Sequence, residues 1–286
     1  MDKVNTLAWE GRTRTVTGGI TEAEAARIHA TVGAPGQNAP KDGEILPPLW
    51  HWCAFPPTTA MAELGRDGHP MLGDFLPPVP LERRMWASGS LTFKAPMRVG
   101  ETLKMRSTIA TVQEKETGAG PMVVVSVDHQ VFSERGLSIE ERQNIVYLEI
   151  PDTFRPPQKR VLPGTPAFHA SQHVNEALLF RFSAITFNAH RIHFDLPYAM
   201  DVEHYPGLVI HGPLQAMLLM REAVKFRGER PVHFDFRGVH PSLLVAGEDK
   251  DIDLMGTEDD CGALSLFCGQ FGHQTMQATA IWEGTQ

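Results

Sequence analysis

Residues 93–101 read FKAPMRVGE, and residues 236–248 read FRGVHPSLLVAGE. Each stretch runs from an apolar and basic strand end, through a corner that contains proline, to a Gly-Glu pair that opens a new strand. Downstream of both stretches, apolar and polar side chains alternate with the period of two that is typical of a half-buried strand. The same succession of elements in both halves of the chain predicts a duplicated antiparallel unit.

The alternating segments lie at matching places in the two halves, and each pair of them flanks a polar turn. The predicted segments are strands at residues 103–109, 123–131, 251–255 and 262–271, with turns at residues 117–121 and 257–260. A final strand carries apolar side chains on one face, at Met276, Ala278, Ala280 and Trp282. We expect that face to lie in the core.

Two helices are predicted from the residues at their ends. Thr21 and Glu24 have the spacing of a capping box, which predicts a short helix that continues to Ala30. Pro213 suits the first position of a helix, because the amide that proline lacks would be unpaired there; this helix is expected to reach about Lys225. Its apolar stripe is wide, so we expect it to be buried. The pattern indicates an α+β fold in which a curved antiparallel sheet wraps a buried helix, twice.

Composition narrows the class of protein. The 286 residues carry 26 basic and 34 acidic side chains, a net charge of −8, which argues against nucleic acid as the main partner. Three cysteines without a C-x-x-C pair favour a reducing cytoplasm. The first five residues hold no continuous apolar stretch, so no secretory signal is expected. Residues 207–220 are uncharged but fall short of the about 20 residues that span a bilayer, and no membrane partner is expected.

A proline-rich stretch divides the chain. Five prolines lie within residues 151–166, and proline both fixes φ and removes a hydrogen-bond donor. This segment is therefore predicted to be an extended linker. It separates one unit at residues 1–150 from a second unit at residues 167–286.

The segment with the most chemistry precedes the second predicted helix. Residues 187–199 read FNAHRIHFDLPYA, and residues 205–213 read YPGLVIHGP. Asn188 stands five positions before His193, and His211-Gly212 lies at the helix start. Together these segments resemble the MaoC-type (R)-specific enoyl-thioester hydratase and dehydratase family, in which an Asp or Asn precedes the catalytic His by five positions. The residues at positions 195, 197 and 199 also fit that pattern.

The resemblance implies a fold and a reaction class. The chain is most similar to a subgroup with two hot-dog units and an Asn-His pair, which includes 3-methylfumaryl-CoA (mesaconyl-C4-CoA) hydratases and type 2 hydroxyacyl-thioester dehydratases. It implies a double hot-dog, with two curved antiparallel sheets each wrapping a central helix. Residues 1–150 would be a degenerate unit and residues 167–286 the catalytic one. His51 and His69 lack an Asp or Asn five positions earlier, so the first unit is expected to complete the sheet and shape the acyl cavity.

The residues of the motif suit the chemistry of hydration. His193 can take and return a proton near neutral pH, and such a group typically contributes about 10²- to 10⁴-fold in rate. Asn188 does not titrate, but its oxygen can orient the attacking water. The amide of Gly212, at a helix start, can stabilise the enolate on the thioester oxygen. Each of these residues also has a purely structural interpretation: a buried histidine, a turn asparagine and a helix start.

Candidates for substrate binding are weaker. Arg191, which is near Asn188 and His193 in the sequence, is the candidate for binding a substrate carboxylate. The candidates for binding the coenzyme A phosphates are Arg237 and the pair Arg83 and Arg84. The other candidates are an aromatic wall around Trp52 and the polar neighbours Asp195 and His211. No metal is expected, because the histidines do not form H-E-x-x-H and no cysteine lies near them.

The predicted function is reversible hydration of a short branched or carboxylated enoyl-CoA, with 3-methylfumaryl-CoA as the first choice. Alternatives are dehydration of a (3R)-hydroxyacyl-thioester and hydration of itaconyl-CoA; a different class is a non-catalytic acyl-thioester binder or a thioesterase. Coenzyme A is part of the substrate, so no separate cofactor is expected. The resemblance implies a homodimer.

Overall fold

A computed structural model describes residues 8–118 and 120–284 of the chain. The strands are β1 (Thr13–Gly18), β2 (Arg83–Phe93), β3 (Leu103–Thr117), β4 (Gly120–Ser133), β5 (Gly136–Leu148), β6 (Phe168–His173), β7 (Leu208–Val209), β8 (His233–Gly238), β9 (Leu243–Leu244), β10 (Asp251–Glu258), β11 (Leu264–Gln270) and β12 (His273–Ile281). The α-helices are α1 (Glu22–Val32), α2 (Glu176–Thr186) and α3 (Gly212–Arg227). Shorter helical turns lie at Trp50–Cys53, Met61–Glu63, Arg191–His193 and Tyr198–Val202.

Ten of these strands form one antiparallel sheet in the order β1-β3-β4-β5-β2-β8-β12-β11-β10-β6. The first half-sheet, β1-β3-β4-β5-β2, and the second half-sheet, β6-β10-β11-β12-β8, have the same internal order. They join edge to edge where β2 pairs with β8, from Ser88 opposite Arg237 to Thr92 opposite His233. The predicted duplication of an antiparallel unit is confirmed.

The predicted strands are present, and several extend further than predicted. Strand β10 continues to Glu258, three residues past the predicted end. The predicted apolar face of β12 is buried as expected, with Ala280 fully inside. The turn predicted at residues 117–121 joins β3 to β4, and Ala119 within it lies outside the described residues, as do the first residues on which the absence of a secretory signal was argued.

The helices follow their predicted end signals. Thr21 and Glu24 form the capping box at the start of α1, and Pro213 stands in the first turn of α3. Helix α3 is buried and packs against β10, β11 and β12, while α1 packs against α2 and α3. In the first half, the segment between α1 and β2 holds only the short helical turns Trp50–Cys53 and Met61–Glu63, whereas the second half has the long helix α3 between α2 and β8. Prolines on both sides of Trp50–Cys53 (Pro47, Pro48, Pro56 and Pro57) prevent a longer helix there.

A loop from the first half covers part of the second. Residues 64–70 form a narrow loop closed by a bridge between Leu64 and Pro70. Gly68 in this loop has φ of 89°, and a Cβ there would lie 1.9 Å from the carbonyl oxygen of Ala189. The backbone N–H of Arg191 donates to the carbonyl of Asp67 at 2.9 Å. Only glycine allows this close approach, so the loop is fixed against the segment that precedes α3.

The proline-rich segment at residues 151–166 contains one isolated bridge, from Val161 to His273, and otherwise neither helix nor strand. Its role as a boundary between two units stays a prediction. Among the described residues, no helix is both long and apolar enough to cross a bilayer.

Candidate active site

The active-site loop, residues 187–211, connects α2 to α3 and carries the predicted histidine. His193 is buried, and its Nδ1 lies 2.7 Å from the carbonyl oxygen of Val209. A carbonyl can only accept, so Nδ1 carries the proton and donates it, which leaves Nε2 with a lone pair. Nε2 makes no hydrogen bond with the residues that the structure describes. Burial lowers the pKa of His193 to about 4, so the ring is neutral near pH 7.

His211 stacks on His193 and keeps that ring in place. The two ring centroids are 3.6 Å apart with an angle of 20° between the planes. Nε2 of His211 is 2.9 Å from the Ser183 hydroxyl of α2, and Phe182 packs edge-on against the same ring. Burial, followed by the neighbouring His193, holds the pKa of His211 well below its ordinary value. His211 is therefore a neutral, rigid support for the catalytic candidate.

Gly212 is the first residue of α3, directly after the stacked His211. The first amides of a helix have no acceptor within the helix, and they lie at its positive end. A Cβ on Gly212 would be in ordinary van der Waals contact with the Met276 side chain at 3.9 Å and with the Trp86 carbonyl at 4.0 Å, so this backbone is not crowded. The geometry suits an amide that receives negative charge from a bound group.

Asn188 begins the loop at the end of α2. Phe187 adopts the left-handed conformation (φ 51°) that ends the helix, and the Asn188 N–H donates to the Ser183 carbonyl at 2.8 Å. Oδ1 of Asn188 accepts the backbone N–H of His190 at 3.0 Å. This local turn is the structural interpretation of Asn188. A second lone pair on Oδ1 and the side-chain NH₂ stay free to hold a water, and that role stays a prediction.

Arg191 and Asp195 bind each other rather than His193. The Arg191 guanidinium donates to Oδ2 of Asp195 through Nε at 2.9 Å and through Nη2 at 2.7 Å. It also lies over the Tyr198 ring, 4.1 Å from the centroid. The pKa of Asp195 is lowered by the Arg191 hydrogen bond and then by the Tyr198 backbone N–H. This pair braces the loop, and its mutual neutralisation weakens the prediction that Arg191 binds a substrate carboxylate.

Trp52 contributes to an aromatic wall on the first-half side. Its ring packs edge-on against Trp86 at 4.9 Å and against Phe236 at 5.7 Å, measured between centroids. Its indole N–H donates to Glu141 at 3.0 Å, which fixes the ring. Because the Trp86 carbonyl lies beside Gly212, this wall adjoins the start of α3.

Arg237 lies away from this wall. It is exposed, next to the buried Phe236, so its side chain is on the opposite face of the sheet. It donates to Gln277 and lines a cavity of about 300 Å³ together with Lys159 and Arg160. The prediction that Arg237 contacts substrate is untested, and the structure does not bring it together with His193.

Sequence reasoning missed a polar cluster next to His193. The His190 ring lies 5.3 Å from the His193 ring and 4.2 Å from that of His69, between centroids. Glu203 lies 3.5 Å from His190 Nε2 and accepts from Arg83 Nε at 3.2 Å. Burial, then the neighbouring His193 and the charges of nearby arginines, hold the pKa of His190 well below its ordinary value.

Two histidines of this cluster, together with Asp67, could hold a metal ion. Asp67, His69 and His190 each offer one ligand atom, and these atoms lie within 4.8 Å of one another. The spacing of histidines along the sequence could not reveal the set, because Asp67 and His69 come from the first half. Arg83 and Arg84 are close enough to lower the pKa of His190, and their positive charges also oppose the binding of a cation there. The absence of a metal stays a prediction.

Comparison with known proteins decides the family. Residues 49–244 match the family described as hydroxyacyl-thioester dehydratase type 2. The chain belongs to this family. It is also 42% identical over 248 residues to the mesaconyl-C(4)-CoA hydratase of Chloroflexus aurantiacus, an alignment that covers 86% of this chain and 88% of that protein.

Solved structures agree with this type 2 dehydratase fold. A MaoC-like dehydratase superposes with a TM-score of 0.71 at 13% identity, covering 96% of this chain and 99% of the other. A Mycobacterium tuberculosis protein described as having a double hotdog fold superposes with a TM-score of 0.59 at 12% identity, covering 95% of both chains. The predicted double hot-dog fold, the MaoC-like resemblance and the hydro-lyase class of enzyme are confirmed.

Proposed function

We propose that this hydratase adds water reversibly across the double bond of 3-methylfumaryl-CoA (mesaconyl-C4-CoA). The observation that carries the proposal is the neutral His193 ring, fixed by the Val209 carbonyl with Nε2 free and stacked on His211, the residue directly before the helix start at Gly212. The name of the 42% identical relative supports the choice of acyl group.

The residues divide the hydration between them. Nε2 of His193 takes a proton from a water that attacks Cβ, and Asn188 orients that water. The electrons of the double bond move to the thioester oxygen, where the Gly212 N–H stabilises the enolate; loss of one such donor typically costs roughly 10²- to 10³-fold in rate. The imidazolium then delivers its proton to Cα. Dehydration is the same path in reverse.

Burial of His193 favours a mechanism in which this one ring both takes the proton from water and delivers it to Cα. Low polarity around the ring disfavours the imidazolium, so the ring gives its proton up readily once the enolate has formed. The stacked His211 is neutral as well and does not compete for the proton.

A second candidate is dehydration of a (3R)-hydroxyacyl-thioester, which the description of the matching family favours. It would use the same residues on an acyl group without a carboxylate. The two candidates differ in the group that lies beyond Cβ.

We further propose that the protein acts in the cytoplasm as a homodimer, as the family resemblance implies, on an acyl-CoA. Adding water moves no electrons to or from the substrate, so we expect no cofactor besides the coenzyme A of the substrate itself.

The experiment is to incubate the protein with 3-methylfumaryl-CoA and with crotonyl-CoA while following both the absorbance of the conjugated thioester and free thiol. We expect the absorbance to fall without thiol release, and faster with 3-methylfumaryl-CoA. Thiol release with an intact double bond would reject the hydratase in favour of a thioesterase. Equal or faster loss with crotonyl-CoA would favour the second candidate.

A further inference from the structure

Arg84 is a largely buried arginine whose contacts with the oxygens of Pro70 and Asp67 are both long. It lies on β2, and its side chain is only 11% exposed. Nη2 is 3.5 Å from the Pro70 carbonyl and 3.8 Å from Oδ2 of Asp67. On the neighbouring strand, directly opposite Arg84, stands Tyr147, whose buried hydroxyl lies beside the guanidinium.

Asp67 does not neutralise Arg84 through a close ion pair, because its two oxygens have other partners. Oδ1 accepts the backbone N–H of His69 at 3.0 Å, and Oδ2 lies 2.8 Å from Nδ1 of the same histidine. By contrast, Arg191 holds Asp195 with two close hydrogen bonds, and Arg83 holds Glu203. Arg84 is thus a desolvated guanidinium with donors to spare, and it would gain most from a further anionic partner.

The position of Arg84 relative to His193 follows from its place on β2 and from its closeness to His190. Arg84 and Trp86 are two residues apart on β2, so their side chains share one face, about 7 Å apart along the strand. The Trp86 carbonyl lies beside Gly212. Arg84 is also close enough to His190 to lower the pKa of that histidine, and the His190 ring centroid is 5.3 Å from that of His193. From Gly212 the site therefore runs past His193 and His190 to Arg84.

We propose that Arg84, together with the Tyr147 hydroxyl, forms a subsite for a carboxylate attached to Cβ of the substrate. This inference rests on the proposed function, which places the thioester oxygen at Gly212 and Cβ near His193. A group on Cβ that points away from the thioester then lies on the far side of His193, where His190 and Arg84 are. A guanidinium provides two parallel donors for a carboxylate, and a phenol can add a third.

The subsite explains selection among acyl groups. A substrate with a methyl group in place of the carboxylate would leave the buried guanidinium without its partner, and unpaired buried polar groups reject such analogues strongly. The site therefore selects short enoyl thioesters with a carboxylate on Cβ.

Binding of two saturated thioesters tests the subsite without any turnover. The probes are 3-carboxybutanoyl-CoA and isovaleryl-CoA, which differ only in a carboxylate against a methyl group. We expect the wild type to bind the first about 10- to 100-fold more tightly. In Arg84→Gln the two dissociation constants should become nearly equal. In the control Arg142→Gln, which removes an exposed arginine paired with Asp128 on the same half-sheet, the wild-type ratio should remain.

Two results would overturn the proposal: a wild type without preference, or a wild-type ratio in Arg84→Gln. Arg84→Lys keeps the positive charge but loses the two parallel donors of the guanidinium, so its ratio of dissociation constants should lie between those of the wild type and Arg84→Gln. A wild-type ratio in Arg84→Lys counts against the subsite even if Arg84→Gln fails to fold.

Turnover separates this inference from the proposed function. Arg84→Gln should lower kcat/KM for 3-methylfumaryl-CoA about 10- to 100-fold more than kcat/KM for 3-methylcrotonyl-CoA, its uncharged counterpart. Both values come from one protein sample, so the ratio does not depend on how much of the variant is folded. A protein that binds both probes but hydrates neither substrate would reject the hydratase, while the binding ratios would still decide the role of Arg84.

Discussion

In the first half of the chain the buried His51 pairs with a carboxylate, whereas in the second half the buried His193 pairs with a backbone carbonyl. Nδ1 of His51 also has no partner among the described residues, but that atom is fully buried. In the first half, Nε2 of His51 lies 2.9 Å from Glu141, and both side chains are almost fully buried. In the second half, His193 uses Nδ1 for a backbone carbonyl and keeps Nε2 available. One scaffold of five strands thus carries a histidine paired with a carboxylate once and the histidine of the proposed mechanism once.

The two halves also differ in the element that follows the loop: a long helix in the second half and a short turn in the first. In the second half α3 begins at Gly212, directly after the His211 that stacks on His193. In the first half the segment before β2 holds the turn Trp50–Cys53, and Glu141 accepts from Trp52 and Gln143 as well as facing His51. In the proposed mechanism the first half therefore provides a wall of the site, and the second half provides the reacting groups.

The largest expected effect is the loss of the free imidazole. His193→Ala should lower kcat by about 10²- to 10⁴-fold, because in the proposed mechanism His193 is the group that takes the proton from water. Initial rates with 3-methylfumaryl-CoA measure the loss, and thermal unfolding followed by circular dichroism checks that the fold is retained. Near-normal turnover in the variant would remove His193 from the mechanism.

His51→Ala should damage stability instead of chemistry. It leaves the Glu141 carboxylate buried without its histidine, and breaking a buried pair typically costs about 3–5 kcal/mol. Urea unfolding measures the loss, while kcat per folded molecule should stay within about threefold of the wild type. A fall in kcat as large as that of His193→Ala would contradict the division between the halves.

The pH dependence of stability sharpens the same comparison. Burial alone would raise the pKa of Glu141, but the hydrogen bond and charge of His51 bring it below its ordinary value. A lowered pKa means that the folded state favours the carboxylate, so this stabilisation is present above the unfolded pKa near 4.5 and is lost as the pH falls through the folded value. Glu141→Gln should lack this part of the acid dependence when urea unfolding is repeated at several pH values.

Asn188→Asp should have a smaller effect. A carboxylate oxygen still accepts the His190 N–H and still orients a water, so we expect kcat to change by less than about tenfold. Steady-state rates with the same substrate measure it. A loss as large as that of His193→Ala would mean that the uncharged amide, and not only its oxygen, is required.

Metal removal should have the smallest effect. Arg83 and Arg84 oppose a cation at Asp67, His69 and His190, so dialysis against EDTA is expected to leave kcat unchanged. An activity that EDTA abolishes and zinc or manganese restores would show that the three side chains hold a functional metal.

Local patterns were enough to predict most of the fold. Alternation of apolar residues located the strands, Thr21 and Glu24 located the start of α1, and Pro213 located that of α3. The pattern predicted a central helix in both halves, but between α1 and β2 the first half has only short turns, including Trp50–Cys53. The prolines around that turn, which are visible in the sequence, could have indicated this. Similarity to a family, rather than physical reasoning alone, turned these elements into a double hot-dog.

The site was only partly predictable. Asn188, His193 and Gly212 lie close along the chain, and a motif can connect them. The four-residue spacing of Arg191 and Asp195 could have signalled that they pair with each other. Arg84 and Asp67 reach the site through the register of β2 and the loop at residues 64–70, which no local pattern encodes.

The central claim is that His193 is neutral, with its proton on Nδ1. It is tested most directly by ¹⁵N NMR of the protein labelled in histidine, with the His193 signals assigned by comparison with His193→Gln. The account predicts an Nδ1–H tautomer whose signals stay unchanged as the pH is lowered from 7.5 to 5.5, because its pKa is about 4. An imidazolium at pH 6, or a proton on Nε2 in the neutral ring, would contradict it.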